Sequence, residues 1–316
     1  MKVSALIPTY NRRAYVVRAL ESVLNQSVQP DEVIVVDDGS KDDTVELVER
    51  RFGSAVRIVR QENKGVSGAR LRAIKEARGE WIAFLDSDDA WCPGRQAYLL
   101  DMLERVPAEV AWLFGDMQVR TDQGDQQTLF QEHGLTVTGE PQVFEDSFSV
   151  QYPFQFPMLQ ASLIRRDALV EGRCFEEGFR SDDDLLTGFQ IASKHKFAAV
   201  PKVVTVLSRT SDLFETSVLA NGLKSSDYYK SRMKAFSLAF STTGKRNPWA
   251  IEYEQVVRGL CKFYSGQGKS VRSLAMEQFR FGVSRRSIAF LAAAVLGRPG
   301  LRLWESAGAV AGRGAS

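Results

Sequence analysis

Histidine and cysteine are scarce in this 316-residue chain, which holds two of the first and three of the second. His133 and His195 stand far apart and fit neither a metal-ligand pair nor a hydrolytic triad; His195, in Lys194-His195-Lys196, reads as part of a solvated turn. Cys92, Cys174 and Cys261 form no CxxC pair, which excludes a zinc ribbon or a disulfide framework and suits a reducing compartment. Long apolar runs are missing too. The longest, residues 288–296, is about half of the ~20 residues that cross a bilayer as a helix. The start has no basic segment, extended apolar core or cleavage site, so no signal peptide is expected. No GxGxxG follows the first strand-like segment, and the glycines at 65 and 68 are not part of a Walker loop, which excludes a dinucleotide enzyme and a P-loop ATPase. Repeats and low-complexity tracts are absent, as is any basic stripe with stacking aromatics on a nucleic-acid module, so no nucleic-acid partner is expected. The expectation is a cytoplasmic protein, soluble or held peripherally at the inner face of a membrane.

What is present is an ordinary globular composition, 44% apolar and 25% charged, in a chain longer than one domain of modal size. The net charge of +2 hides an asymmetry: residues 223–316 carry 16 Lys and Arg against 5 Asp and Glu, and the part before them is acidic. Either the basic residues solvate helix faces, or the tail forms a second functional surface. Arg285 and Arg286 precede the 288–296 run, and Arg298, Arg302 and Trp304 follow it. That arrangement suits a helix lying in an anionic membrane interface, and equally a helix packed on its own domain.

Residues 3–7 are short and apolar, stopped by Pro8, as a buried parallel strand would be. Val16, Val17, Leu20, Val23 and Leu24 then recur at helical spacing, and residues 32–36 form a second buried strand. Asp42, Asp43 and Thr44 announce a helix reaching about Phe52. A strand at 56–59, a helix at 66–78 and a strand at 81–85 continue the series. Such alternation predicts an α/β fold, a mostly parallel sheet flanked by helices. Beyond Trp91 the pattern loosens into a strand at 111–119, an irregular aromatic stretch at 143–159, a helix at 185–192, a strand at 197–207 and helical periodicity from about 225. Three parts follow: residues 1–110, residues 111–215 of the same domain, and residues 216–316 as a C-terminal helical extension.

In an open parallel sheet, ligands bind outside the carboxyl ends of the strands. Three polar clusters stand at such ends: Pro8-Thr9-Tyr10-Asn11, Asp37-Asp38-Gly39-Ser40 and Asp86-Ser87-Asp88-Asp89. Carboxylates gathered at one sheet edge repel unless a cation joins them, and magnesium or manganese is the simplest one. Asp and Ser also form turns and caps, and Asp42 and Asp43 read that way.

These residues carry a resemblance. Residues 3–12, 33–44, 61–70 and 79–89 are similar to the ordered motifs of glycosyltransferase family 2: a Pro-x-Tyr-Asn strand end, an Asp-Asp-Gly-Ser turn, a Gln-x-Asn-x-Gly segment with Ala-Arg after it, and Asp-x-Asp. The resemblance is sharp over 1–95 and recognisable over 155–210, and it implies that residues 1–110 are the donor-binding half and 111–215 the acceptor-binding half of one domain. It implies a GT-A fold and inverting sugar transfer from a nucleoside-diphosphate donor, a UDP-sugar by default, to a glycan or lipid-linked acceptor. It implies that Pro8 and Asp38 surround the base, with Thr9, Asp37 and Arg70 lining the same pocket. Asp86 and Asp88 would hold the ribose and a divalent metal, Mn2+ or Mg2+, with Asp89 as an alternative ligand. The general base would lie in Ser181-Asp182-Asp183-Asp184, where an ungapped register gives Asp184 the catalytic place and Asp183 that of the glutamate before it. Neighbouring carboxylates tend to raise the pKa of one of them, which suits a base near neutrality, though the same cluster could simply cap a helix. Family members often follow the Val-Pro strand with Arg-x-His; Arg209-Thr210-Ser211 keeps the arginine, for the diphosphate, without the histidine. Tyr152, Phe154, Phe156 and Met158 read either as packing or as an acceptor wall. A sugar-nucleotide pyrophosphorylase and a catalytically silent nucleotide-binding scaffold are the alternatives. The first usually carries a glycine-rich loop where Pro8-Thr9-Tyr10-Asn11-Arg12 stands, and the intact acidic clusters argue against the second.

Overall fold

The structure is a computed structural model that describes residues 1–151, 157–175, 177, 183–211, 213 and 230. Contacts divide the chain into one unit of Met1–Gln131, Leu135–Phe179 and Asp183–Thr210, and a second of Glu132–Gly134, Arg180–Asp182 and Ser211–Ser316. Nearly all of the second unit, including the basic tail and the expected helical extension, lies outside the described residues. So do Tyr152, Phe154, Phe156 and Asp182.

The first unit opens with β1 (Val3–Thr9), α1 (Val16–Leu24), β2 (Glu32–Asp37), α2 (Thr44–Phe52), β3 (Arg57–Arg60), α3 (Gly65–Glu76) and β4 (Trp81–Phe84). All seven β1 residues are buried, which is why that strand carries no alternating polar face. Pro8 does not end it. β4 stops pairing beside Leu6, so the missing Pro8 N–H faces no ladder acceptor, while β2 continues alongside to Thr9. α1 buries Val16, Ala19, Leu20 and Val23, one helical stripe, against the sheet. Asp42 caps the start of α2, its Oδ1 accepting the Thr44 N–H at 3.1 Å.

The chain continues through β5 (Ala90–Trp91), α4 (Arg95–Leu103), β6 (Val110–Thr121), β7 (Gly124–Thr128), α5 (Leu129–His133), β8 (Gln142–Phe144), α6 (Phe148–Gln151), β9 (Ser162–Arg165), α7 (Arg166–Glu171), α8 (Asp183–Ala192) and β10 (Lys196–Ser208). The main strand order is β3-β2-β1-β4-β9-β6-β10-β5, with β7 on β6 and β8 on β10. β1 to β4 are parallel as the alternation predicts, and β10 is parallel to β6; β9, β5, β7 and β8 join antiparallel. The order reverses between β1 and β4, which opens a crevice at their carboxyl ends. The antiparallel pairing of β9 with β4 sets Ile82 opposite Ile164. Extended along both chains, that register brings the residues just before β9 level with those just after β4. Trp112, Phe84, Phe114 and Phe197 are among the largest fully buried side chains of the core. Among the described residues no helix is long and apolar enough to cross a membrane.

Candidate active site

β1 ends on Thr9 and β2 on Asp37, which are partners in the ladder, and both side chains are buried. Asp37 Oδ2 accepts the Ser40 N–H at 3.1 Å, but Asp37 Oδ1 and Thr9 Oγ1 are buried without a hydrogen-bond partner. Buried polar atoms are nearly always satisfied, so two orphans on adjacent strands call for an explanation, and a polar ligand would supply one. Asp38 is engaged within the protein: its Oδ1 accepts Gln61 Nε2 at 2.7 Å and the Lys64 N–H at 2.9 Å, fixing the loop that enters α3. Asn11, at φ 51°, donates its N–H to Ser40 Oγ at 2.9 Å and accepts the Lys41 N–H at 2.8 Å. The loops after β1 and β2 are therefore tied together, and Asn is a residue that tolerates the left-handed backbone this requires.

After β4, residues 86–89 form a tight turn closed by the Asp89 N–H on the Asp86 carbonyl at 3.0 Å. Its three carboxylates have different partners. Asp86 Oδ1 accepts Arg70 Nη2 at 2.8 Å and Oδ2 accepts Gln160 Nε2. Asp89 is buried and accepts the Ser208 N–H at 2.8 Å. Asp88 is 27% exposed at its side chain, and its ion pair among the described residues is a long one, to Arg12 Nε at 3.8 Å. Its carbonyl accepts Arg18 Nη2, which also donates to Ser208 Oγ at 2.8 Å. Burial and then the Asp86 charge raise the Asp88 carboxyl above its ordinary value; burial and the charges of Asp88 and Asp86 raise Asp89 further.

Asp86, Asp88 and Asp89 do not form a closed ligand set, and among the described residues no three Asp, Glu, His or Cys side chains do. The reason is geometric, since Arg70, Gln160 and Ser208 already take oxygens of the outer two. Magnesium-like ions are commonly held by one or two carboxylates plus substrate phosphates and need no protein cage. The turn fits that case. It offers hard oxygens where repulsion is incompletely relieved, and an added cation would relieve it.

Arg70, on α3, is buried, and its guanidinium spans two carboxylates. Nη1 lies 2.9 Å from both oxygens of Asp183, in the first turn of α8, while Nη2 donates to Asp86. Burial alone would lower the Arg70 guanidinium, but Asp183, Asp86 and Asp184 outweigh it and hold the group above its ordinary value. Asp184 is half-buried beside Asp183, its Oδ1 accepting the Leu185 N–H at 2.8 Å. Arg209 is exposed and follows directly on Ser208, the residue fastened to the acidic turn. His195 is half-buried in the turn before β10, and burial lowers its pKa.

The family model described as Glycosyl transferase family 2 matches residues 4–172, more than half of the chain. The chain belongs to glycosyl transferase family 2. An uncharacterized glycosyltransferase of Rickettsia felis is 30% identical over 204 residues, which is 64% of this chain and 32% of that protein. Chondroitin synthase of Escherichia coli is 42% identical over 101 residues, 31% of this chain and 15% of that one. The succinoglycan biosynthesis protein ExoO of Rhizobium meliloti is 31% identical over 188 residues, 58% of this chain and 53% of that one. The chain spans about a third of the first of these relatives, and about half or less of the other two. The crystal structure of S. aureus TarS 1-349 covers 99% of this chain and 89% of that one at TM-score 0.61 and 17% identity. Its complex with UDP-GlcNAc covers 98% and 90% at TM-score 0.62 and 18% identity. At such identity the likeness speaks to the fold, which is the α/β GT-A type expected of the family.

Three residues at the site have no counterpart in the sequence reading. Gln160 meets Asp86 only through the antiparallel entry of β9, which no local pattern announces. Arg12 and Arg18 flank Asp88. Arg12 closes the Pro-x-Tyr-Asn segment, so its place beside the strand ends is visible in the sequence, whereas Arg18 sits on the exposed face of α1 and gives no signal.

Proposed function

We propose that this chain is an inverting glycosyltransferase that moves a sugar from a UDP-sugar to a hydroxyl of a glycan or lipid-linked acceptor. The observation that carries the reading is the pair of orphaned polar atoms, Thr9 Oγ1 and Asp37 Oδ1, at the same sheet edge as the crowded carboxylates of residues 86–89. A uracil edge carries the donor and acceptor groups those two atoms lack. Pro8 and Asp38 shape the pocket around them, Asp38 by holding the 61–64 loop. The TarS complexes with UDP-GlcNAc and with UDP, in the same fold, favour a uridine donor.

Asp88 would hold a divalent metal together with the diphosphate oxygens, and the ion's chemistry there is to neutralise the charge of the departing diphosphate. Arg12 beside Asp88, and Arg209 after Ser208, supply protein cations for the same diphosphate. Asp184 takes the proton of the acceptor hydroxyl as its oxygen bonds to the anomeric carbon. The bond from that carbon to the diphosphate breaks in the same displacement and UDP leaves with its electron pair, so the configuration inverts.

A ligand that binds only the native state raises its melting temperature, by RT ln(1 + [L]/Kd) in free energy. A thermal-shift screen with UDP-, GDP- and dTDP-sugars, each with and without Mn2+, is expected to give the largest rise for UDP-sugars and to need the metal for its full size. Equal shifts for all three bases, or none, would contradict the uridine pocket.

A further inference from the structure

We infer that Arg70 is a positioning residue that locks the start of α8 to the acidic turn after β4, and that it does not itself bind the nucleotide. The inference rests on the proposed reading of Asp184 as the base. Arg70 and Asp183 are 113 residues apart in sequence, yet their side chains are only 7% and 6% exposed and meet at 2.9 Å. An arginine pointing into a nucleotide pocket would keep a donor free at the pocket surface. Here Nη1 faces both Asp183 oxygens and Nη2 faces Asp86; Nε has no hydrogen-bond partner but is fully enclosed and so does not open onto a pocket surface.

The rest of the arrangement points the same way. Asp86 is held from its other side by Gln160 Nε2, and the Gln160 carbonyl accepts Thr205 Oγ1 at 2.8 Å. Asp183 Oδ1 also accepts the Asp184 N–H at 3.1 Å. A continuous chain of bonds thus runs from β10 through Gln160, Asp86, Arg70 and Asp183 to the backbone of Asp184. The planar, forked guanidinium can span two carboxylates in fixed directions, which the point charge of lysine cannot. Misplacing a reacting group by about 1 Å costs on the order of 10²-fold in rate, so this chain fixes the distance between donor and base.

The test compares Asp183→Asn, Arg70→Lys, their double variant and Asp184→Asn in the full chain. UDP affinity with Mn2+ is read by calorimetry, UDP release from UDP-GlcNAc into water by rate, and folding by melting temperature. Asp183→Asn leaves Arg70 paired with Asp86 and is expected to fold. Both single variants are expected to keep UDP affinity within about twofold while turnover falls about 10²-fold. The double variant should be no slower than the slower single one, as for residues acting in one chain. UDP affinity falling in step with turnover in Arg70→Lys would make Arg70 a nucleotide ligand and overturn the inference. So would turnover near the parent's in both single variants, and so would an Asp183→Asn protein that does not fold, since the pair would then be merely structural. Asp184→Asn separates the two ideas. Full turnover there sinks the base assignment, whereas loss there with full turnover in Asp183→Asn sinks the positioning role alone.

Discussion

Asp88→Asn is expected to lower metal-dependent UDP release by about 10³-fold while raising the melting temperature by a few degrees. The two effects share one cause. Burial and the neighbouring Asp86 charge disfavour the Asp88 carboxylate, and its only ion pair among the described residues is Arg12 at 3.8 Å. Removing that charge relieves repulsion in the free protein. In the loaded enzyme the same charge would face the metal and diphosphate, where several kcal/mol of charge stabilisation act, at about 1.4 kcal/mol per tenfold in rate. A residue that destabilises the resting fold and serves the reaction is what a functional site is expected to contain. Normal manganese-dependent release from a well-folded Asp88→Asn protein would remove Asp88 from the metal's ligands. A fall in melting temperature alongside lost activity would show instead that the side chain holds the turn together.

Asp184→Asn is expected to cut turnover by about 10²–10⁴-fold and leave UDP affinity unchanged, because a general base acts on the acceptor rather than the donor. Asparagine is close in shape and its oxygen can still accept the Leu185 N–H, so the start of α8 should persist and the loss should lie in kcat. Steady-state rates with UDP-GlcNAc, set beside calorimetry with UDP and Mn2+, separate the two quantities. Collapse of UDP affinity would place Asp184 in the nucleotide pocket. Full activity in Asp184→Asn with loss in Asp182→Asn would shift the base by two residues along the chain.

The first half of the fold was legible because its signals are local. Buried strands of uninterrupted apolar residues, an α1 stripe at helical spacing and an Asx cap before α2 each follow from neighbouring side chains. The second half was less so. β9, β7 and β8 add antiparallel, and pairing of that kind depends on register between distant segments rather than on periodicity. The site divides along the same line. Strand-end clusters at Thr9, Asp37 and Asp86 to Asp89 can be placed from the βα alternation alone. What each carboxylate touches cannot, and there the geometry changes the picture. Asp38 serves the 61–64 loop, Asp86 is held by Arg70 and Gln160, and Asp183 is paired with Arg70. These contacts join residues far apart in sequence, and only the folded sheet brings them together.

On the proposed reading, the crevice between β1 and β4 cleaves a nucleotide sugar at the bond between sugar and diphosphate. Chromatography of the products formed from UDP-GlcNAc tests it most directly, with Mn2+ or a chelator, with or without added pyrophosphate, and in the parent and Asp88→Asn proteins. UDP is the expected nucleotide product, released slowly with water alone as acceptor, dependent on the metal, indifferent to pyrophosphate and lost in Asp88→Asn. Formation of UTP and a sugar phosphate only when pyrophosphate is present would contradict it, and would make the protein a pyrophosphorylase instead.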